Sequence, residues 1–510
     1  MMQISSTRSA LPETLYTSQQ VREGELLAAQ ACQLDMYTLM LRAGQAVFEQ
    51  LLHQYPDVKH VLICCGKGNN GGDGYVVGKL ALEHNLTVTL WQVGSAQELR
   101  GDAATAHDDY VNAGGIISVP ENTVSSSVDV IVDGLLGTGI KGQVRPYFAH
   151  LIDRLNQAQA PIVAIDTPSG LNTDTGAVEG SAIDADLTVT FIGVKQGLVT
   201  GRARAYTGTL TFAGLGVDEV FAKQNSASAL LTRQAWLNLI TVRARDSHKG
   251  RQGSVLVIGG NDGMSGAAYL ASCAAFKSGV GLVATHVHPE SALPIRAMLP
   301  EAMVSADLDN NSEHLKQRSD WADVLCLGPG LGRESWGRGV FMSAFKYATT
   351  LNKPLVIDAD GLYWLSTFSD HSENRVLTPH PGEAALLLGI TAAEVEVDRY
   401  AAAQRLQQKF GGVIVLKGAG TIICDGQTSV VCHAGNPGMA TGGMGDVLSG
   451  VIASLLAQGY PLFRAAVLGT LIHSSAADRN ARLNGESGMM ASDVLSDIRY
   501  VCSKKNGNRQ

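Results

Sequence analysis

Short apolar runs that end in glycine alternate along this chain with longer stretches of helical periodicity. Ser18 to Leu52 carries apolar residues at helical spacing (Val21, Leu26, Leu27, Leu34, Leu39), which predicts helix. VKHVLICCG at 58–66 reads as a buried strand and GKGNNGGDG at 66–74 as a loop, and helical spacing returns from Asp73. LTVTLWQVG (86–94), DVIVDGLLGTGI (129–140), PIVAIDTPSG (161–170) and LTVTFIG (187–193) predict further strands, several of them feeding a glycine-rich turn. Unbroken apolar strands interleaved with helices imply a parallel sheet covered on both faces.

The alternation weakens between Asp218 and Asp246, around the polar segment QNSASA at 224–229. A second series then begins: SVLVIGGNDGMSG (254–266), GVGLVATHV (279–287), DVLCLGPGLG (323–332), KPLVIDADGL (353–362) and GGVIVLKGAGT (411–421). It closes with NPGMATGGMGD at 436–446 and apolar helices to about residue 485. The pattern predicts two α/β domains, 1–225 and 226–510, both using strand, glycine-rich turn and helix.

Composition narrows the choice of function. Lys+Arg is 39 and Asp+Glu is 47, a formal net charge of −8, which argues against a nucleic-acid binder working through a general basic surface. The 45% apolar and 17% charged residues suit a folded core rather than disorder. The 57 glycines in 510 residues exceed the average of ~7% and suggest many close backbone approaches. The N-terminus lacks the apolar run of a secretory signal. The uncharged stretch Val447 to Phe463 is broken by Gly450, Gln458, Gly459 and Pro461, and reads as a buried helix rather than a membrane span. Eight cysteines without a CxxC pair, several inside strand-like runs, fit a reducing cytoplasm.

GKGNNG at 66–71 matches G-x-G-x-x-G, the dinucleotide fingerprint, yet the next strand ends in Trp91-Gln92-Val93 with no acid for a ribose hydroxyl. Asp73 also places a negative charge where a pyrophosphate would dock. What this part of the chain offers is oxygen. Asn70, Asp133, Asp166 and Ser169 follow strands whose C-terminal ends share one crevice in an open parallel sheet. Such ligands suit an alkali or alkaline-earth cation, and the same residue types equally suit turns and helix caps.

GNNGGDG at 68–74, VDGLLGTGIKG at 132–142 and AIDTPSGLN at 164–172 resemble the signature blocks of NAD(P)H-hydrate epimerase domains. The resemblance implies a Rossmann-like fold and a K⁺ ion held by Asn70, Asp133 and Ser169. It implies contacts to the hydrated nicotinamide nucleotide from Asn69, Asn70, Gly71, Gly72 and Asp73, from Gly137, Thr138, Gly139, Ile140, Lys141, Gly142 and Gln143, and from Asp166. Interconverting R and S epimers at the hydrated ring carbon needs reversible loss of the hydroxyl, or ring opening, with acid–base help. Asp166 is the candidate base. Lys141 is the candidate acid, an electrostatic partner or a phosphate ligand.

In the second half, TGGMGD at 441–446 opens an apolar helix. Its glycines let backbone N–H groups face an anion, and an Asp just beyond is placed to take a proton from a hydroxyl attacking a phosphoryl group. Lys417-Gly418-Ala419-Gly420-Thr421 follows a strand, TPHPGE at 378–383 sets His380 and Glu383 in a turn, and DADG at 358–361 ends a strand. With HKGRQG (248–253), GGNDGMSGAA (259–268) and GPGLG (328–332), these resemble the ADP/ATP-dependent NAD(P)H-hydrate dehydratase domain of ribokinase-like fold. The resemblance implies that Lys417, Gly418, Ala419, Gly420, Thr421 and Gly445 contact the adenine nucleotide. Ala267, Gly330, His380 and Asp446 would contact the hydrate, with Asp446 as base and Mg²⁺ on the nucleotide phosphates.

Together the two resemblances cover nearly the whole chain, in the order of the bifunctional NAD(P)H-hydrate repair family. The expected partners are small molecules, with no nucleic acid and no membrane, and a homo-oligomer is plausible. Two other readings stay open on sequence grounds: a sugar or vitamin kinase fused to a Rossmann-like module, and a non-catalytic ligand-binding scaffold.

Overall fold

The apolar runs form strands at the positions where glycine-terminated segments predict them. The structure, a computed structural model, describes residues 10–140, 142–308 and 313–503. The chain divides into two units, Met1–Leu230 and Leu231–Gln510.

Among the described residues, the first unit holds a parallel sheet in the order Ile117–Ser118, Thr87–Gln92, His60–Cys65, Val130–Gly134, Ile162–Ile165, Leu187–Phe191, Thr209–Ala213. Side chains alternate between two cores, Val61, Ile63 and Cys65 entering one and Leu62 and Cys64 the other. That alternation is why the strands read as continuous apolar runs. The short strand Thr14–Tyr16 pairs in parallel with Val194–Lys195 and antiparallel with the strand starting at Ala229.

Two local expectations are corrected. The single helix read from Ser18 to Leu52 is two helices, Ser18–Ala31 and Met36–Gln54. Gln33 turns the chain at φ 58°, and Asp35 caps the second helix by accepting from the Thr38 N–H at 2.6 Å. Residues 66–74 are also less of a loop than their glycines suggest, because a helix already runs from Asn69 to Glu83. Its glycines serve close packing: a Cβ on Gly71 would lie 2.1 Å from the Gly66 carbonyl oxygen.

The second unit's sheet runs Met303–Ala306, Leu282–Val287, Ser254–Ile258, Val324–Leu327, Leu355–Ile357, Arg375–Leu377, Val413–Leu416, all parallel. It then turns antiparallel through Thr421–Cys424 and Ser429–Cys432, a meander the helix-strand alternation does not announce. The apolar stretch Val447–Phe463, read as one buried helix, is divided: its first part lies in the buried helix Met444–Ala457, and its end enters the helix Leu462–Asn484. Met444–Ala457 packs against Ser265–Lys277 so closely that a Cβ on Gly450 would sit 2.1 Å from the Ala271 carbonyl oxygen. Among the described residues, no helix is long and apolar enough to cross a membrane.

Candidate active sites

In each unit the strand order reverses direction once, and in open α/β sheets ligands bind at such points. In the first unit the reversal lies between His60–Cys65 and Val130–Gly134, where the Gly66 N–H donates to the Gly134 carbonyl at 2.9 Å. In the second it lies between Ser254–Ile258 and Val324–Leu327, where the Gly260 N–H donates to Pro329 at 2.9 Å and Asn261 to Gly330 at 2.7 Å.

A cavity of about 710 Å³ opens in the first unit. Asn69, Asn70, Asp73, Gly137, Thr138, Gly139, Ile140, Gln143 and Asp166 all border it, so most of the predicted contacts do converge. Gly71 and Gly72 do not border it, being buried in the helix, and neither does the exposed Gly142. Lys141 lies outside the described residues.

Beside the cavity, Asn70 and Ser169 meet at the Leu136 carbonyl, and Asp133 is joined to Ser169. Ser169 Oγ donates to Asp133 at 2.7 Å and its N–H donates to the other carboxylate oxygen at 2.8 Å. The Asn70 amide donates to the Leu136 carbonyl at 3.1 Å, and Leu136 N–H donates to Ser169 Oγ at 2.8 Å. Burial pushes the Asp133 carboxyl up to about 6, against the opposing pull of its hydrogen bonds from Ser169 and Leu135. The donor set is all oxygen with one formal negative charge, which fits a large monovalent cation.

The electrostatic centre of this cavity contains two groups that sequence reasoning missed. Lys195, almost wholly buried, forms an ion pair with Asp166, which sits at φ 62° and also accepts the Phe191 N–H at 3.1 Å. Glu25, on the helix Ser18–Ala31, borders the same space. Burial pushes Glu25 up to about 7, with Lys195 and Arg22 opposing and Asp166 adding. Burial likewise raises Asp73 well above the usual carboxylate range, and the negative Asp166 and Glu25 raise it further. Neither Glu25 nor Lys195 lies in a glycine-rich block. Glu25 lies in the helix read from Ser18 to Leu52 and Lys195 two residues past the strand at 187–193, and neither segment marks its charged residue as special.

In the second unit, Gly443 at φ 90° opens the helix Met444–Ala457, and Asp446 stands in its first turn. Facing it is a cluster of charge. Lys417 Nζ lies 2.9 Å from Asp358 and 3.7 Å from Glu383. Gly445 is where this cluster meets the helix: a Cβ there would lie 3.0 Å from Lys417 Nζ and 3.4 Å from Asp358 Oδ2. Burial pushes Asp446 up to about 7, helped by Asp358, opposed by Lys417, and helped again by Glu383 and Asp360. Burial pulls Lys417 down, but Asp358, Glu383 and Asp446 outweigh it and hold the ammonium above its ordinary value. The Lys417 side chain thus belongs with the carboxylates near Asp446. The rest of its loop is held by the Gly418 N–H donating to Thr421 Oγ at 3.3 Å and by Arg399 donating to the Lys417 carbonyl at 3.1 Å.

Ala267 and Gly330 are neighbours, since a Cβ on Gly330, at φ 59°, would lie 2.9 Å from that of Ala267. The exposed His380 caps the helix Pro381–Leu388, its Nδ1 accepting from the Gly382 N–H at 3.0 Å while its own N–H donates to Glu383 at 2.8 Å. Its Nε2 lies 3.5 Å from the Glu383 carboxylate, the acid of the same cap.

Such an arrangement, a parallel sheet with a glycine-opened helix presenting an acid beside a half-buried lysine, defines a two-domain α/β enzyme whose second half is ribokinase-like. A ribokinase-like superfamily protein of Enterococcus faecalis shares this half, with 31% identity and a TM-score of 0.50 over 54% of this chain and 95% of that one. Residues 255–499 match the family model for NAD(P)H-hydrate dehydratase, and 36–197 the model described as YjeF-related protein N-terminus. The bifunctional NAD(P)H-hydrate repair enzyme of Vibrio cholerae is 48% identical over 96% of this chain and 98% of its own length. That of Escherichia coli is 44% identical over 96% and 94%. The chain belongs to the family of bifunctional NAD(P)H-hydrate repair enzymes.

Proposed function

We propose that the first unit epimerises the R and S hydrates of NADH and NADPH, and that the second dehydrates the S form using ADP or ATP brought in with Mg²⁺. The observation that carries the reading is Asp446, held near neutrality in the first turn of a glycine-opened helix and facing Lys417. As a carboxylate it takes the proton of the ring hydroxyl while that oxygen attacks the terminal phosphoryl group of the nucleotide. Backbone N–H groups at the helix start and the Lys417 ammonium stabilise the charge that develops on the phosphate oxygens. Phosphate is a better leaving group than hydroxide, and its departure restores the ring double bond.

In the first unit, Asn70, Asp133 and Ser169 support K⁺ binding, and the ion would supply a positive charge beside the cavity. Asp166 is the base and Lys195 holds it in place. The unpaired thiols support a reducing, cytoplasmic setting.

The test incubates hydrated NADH with the protein, Mg²⁺ and ADP or ATP while near-ultraviolet absorbance is followed. Recovery of reduced nicotinamide with release of free phosphate is expected. A stable phosphorylated product would instead make the second unit a kinase, and no recovery would sink the dehydratase reading.

A further inference from the structure

The first unit's cavity holds more acid–base groups than a single base requires. Asp166 and Lys195 account for one another as an ion pair, and Asp73 is a buried residue of the glycine-rich helix. Glu25 has no such role. It lies on Ser18–Ala31, where Ser18, Val21, Arg22 and Glu25, at the spacing of one helix face, all border the cavity. That helix is fixed at both ends of the face. Ser18 donates through its N–H and its Oγ to Asp174 at 2.6 and 3.0 Å, and Thr17 and Gln20 complete a capping box. Next to Glu25, a Cβ on Gly24 would meet the Phe221 ring at 2.5 Å, so the helix sits tight against its neighbour. The side chain is therefore presented to the cavity by a rigid element, the placement a catalytic group needs.

We infer that Glu25 is the acid catalyst of epimerisation, working across the cavity from the Asp166–Lys195 pair. This rests on the epimerase reading of the first unit. Glu25 in its neutral form gives its proton to the ring hydroxyl, the carbon–oxygen bond breaks, and water leaves as the ring nitrogen's lone pair forms a carbon–nitrogen double bond. A water then adds to the other face of that carbon. The new carbon–oxygen bond forms, the electron pair returns to nitrogen, and Asp166 takes the water's proton. One water leaves, one enters, and one proton has passed from Glu25 to Asp166. Turnover of the opposite epimer passes it back, and exchange with water in the open cavity does the same.

The charges around Glu25 favour this assignment. Lys195, Asp166 and Asp73 face it from other elements and Arg22 from its own, while Lys67, Asp102 and Arg145 also border the cavity. Burial is the main cause that lifts Glu25 to about 7, with Lys195 and Arg22 opposing and Asp166 adding, and there a group can both give and regain a proton at neutral pH. Asp73 is also raised above the ordinary carboxylate range, by burial first and then by Asp166 and Glu25.

The experiment follows epimerisation of pure R hydrate by chromatography in the full chain across pH, for the wild type, Glu25→Gln and Glu25→Asp. The wild-type rate should fall as pH rises through about 7, because the acid form of Glu25 is lost. Glu25→Gln should lose roughly 100-fold or more, and its remaining rate should lack that descending limb. Glu25→Asp should keep the limb at a reduced rate. A purely packing role would leave the pH profile unmoved, so a Glu25→Gln enzyme with the wild-type limb, or with a rate within a factor of about three, overturns the inference. A wild type that does not epimerise overturns the epimerase reading as well.

Discussion

Lys195 points its ammonium at the Asp166 carboxylate, and both flank the cavity that also holds Asp73 and Glu25. One buried cation thus stands among three carboxyl groups. Lys195→Met removes the only partner that offsets their mutual repulsion among the groups acting on Glu25 from outside its own helix. Breaking a buried pair leaves an uncompensated charge, a loss of about 3 kcal/mol. The melting temperature of the first unit should drop, and epimerisation should slow by about two orders of magnitude, read by calorimetry and by chromatography of the two epimers. A variant as stable and as fast as wild type would mean the pair is idle.

Asp446 works as a base only when ionised, and its carboxyl sits at about 7. Dehydration of the S hydrate should therefore rise with pH through that value, the opposite direction to the limb expected of Glu25. Asp446→Asn should lower the rate about 10³-fold while nucleotide still raises the melting temperature. A flat wild-type profile between acid and neutral pH would remove Asp446 from the role of base.

The contact between Met444–Ala457 and Ser265–Lys277 has no room for a methyl group at Gly450. Gly450→Ala should destabilise the second unit by about 1–3 kcal/mol, despite alanine's better helix propensity, because the opposing atom is backbone and cannot swing aside. Dehydration should be lost at a lower temperature than in wild type, with epimerisation unaffected. Unchanged thermal inactivation of the dehydratase would show that the helices can separate.

Binding of K⁺ to the Asn70, Asp133 and Ser169 set should stabilise the folded first unit in proportion to the logarithm of ion concentration. Replacing K⁺ by a bulky organic cation should lower the melting temperature and slow epimerisation. Asp133→Asn should abolish the K⁺-dependent part of both. A melting temperature indifferent to K⁺ would leave these residues as a hydrogen-bonded turn.

How much of this was written in the sequence differs between scaffold and site. The strands were legible because they are buried on both faces, so VLICC and VLCL stand out without alternation. The strand order and its reversal points were not legible, although glycines 66 and 259 mark places where backbone meets backbone. The break at Gln33 was hidden, since apolar periodicity continues across it while Asp35 restarts the helix. The meander after Val413–Leu416 was hidden because its strands are as apolar as parallel ones. Asn69, Asn70, Asp73, Gly137 and Asp166, named from glycine-rich blocks, border the first unit's cavity. Glu25 and Lys195 were missed, because each reaches the cavity from a distant segment whose local sequence is ordinary.

All eight thiols are unpaired, and burial raises Cys64, Cys65, Cys273, Cys326, Cys424, Cys432 and Cys502 above the ordinary thiol range. Alkylating reagents and peroxide attack the thiolate. These seven positions should resist both in the folded chain and become labelled only as their unit opens. Cys64 and Cys65 then keep time for one half and Cys326 for the other, so a single labelling experiment resolved by peptide would report which half lets go first.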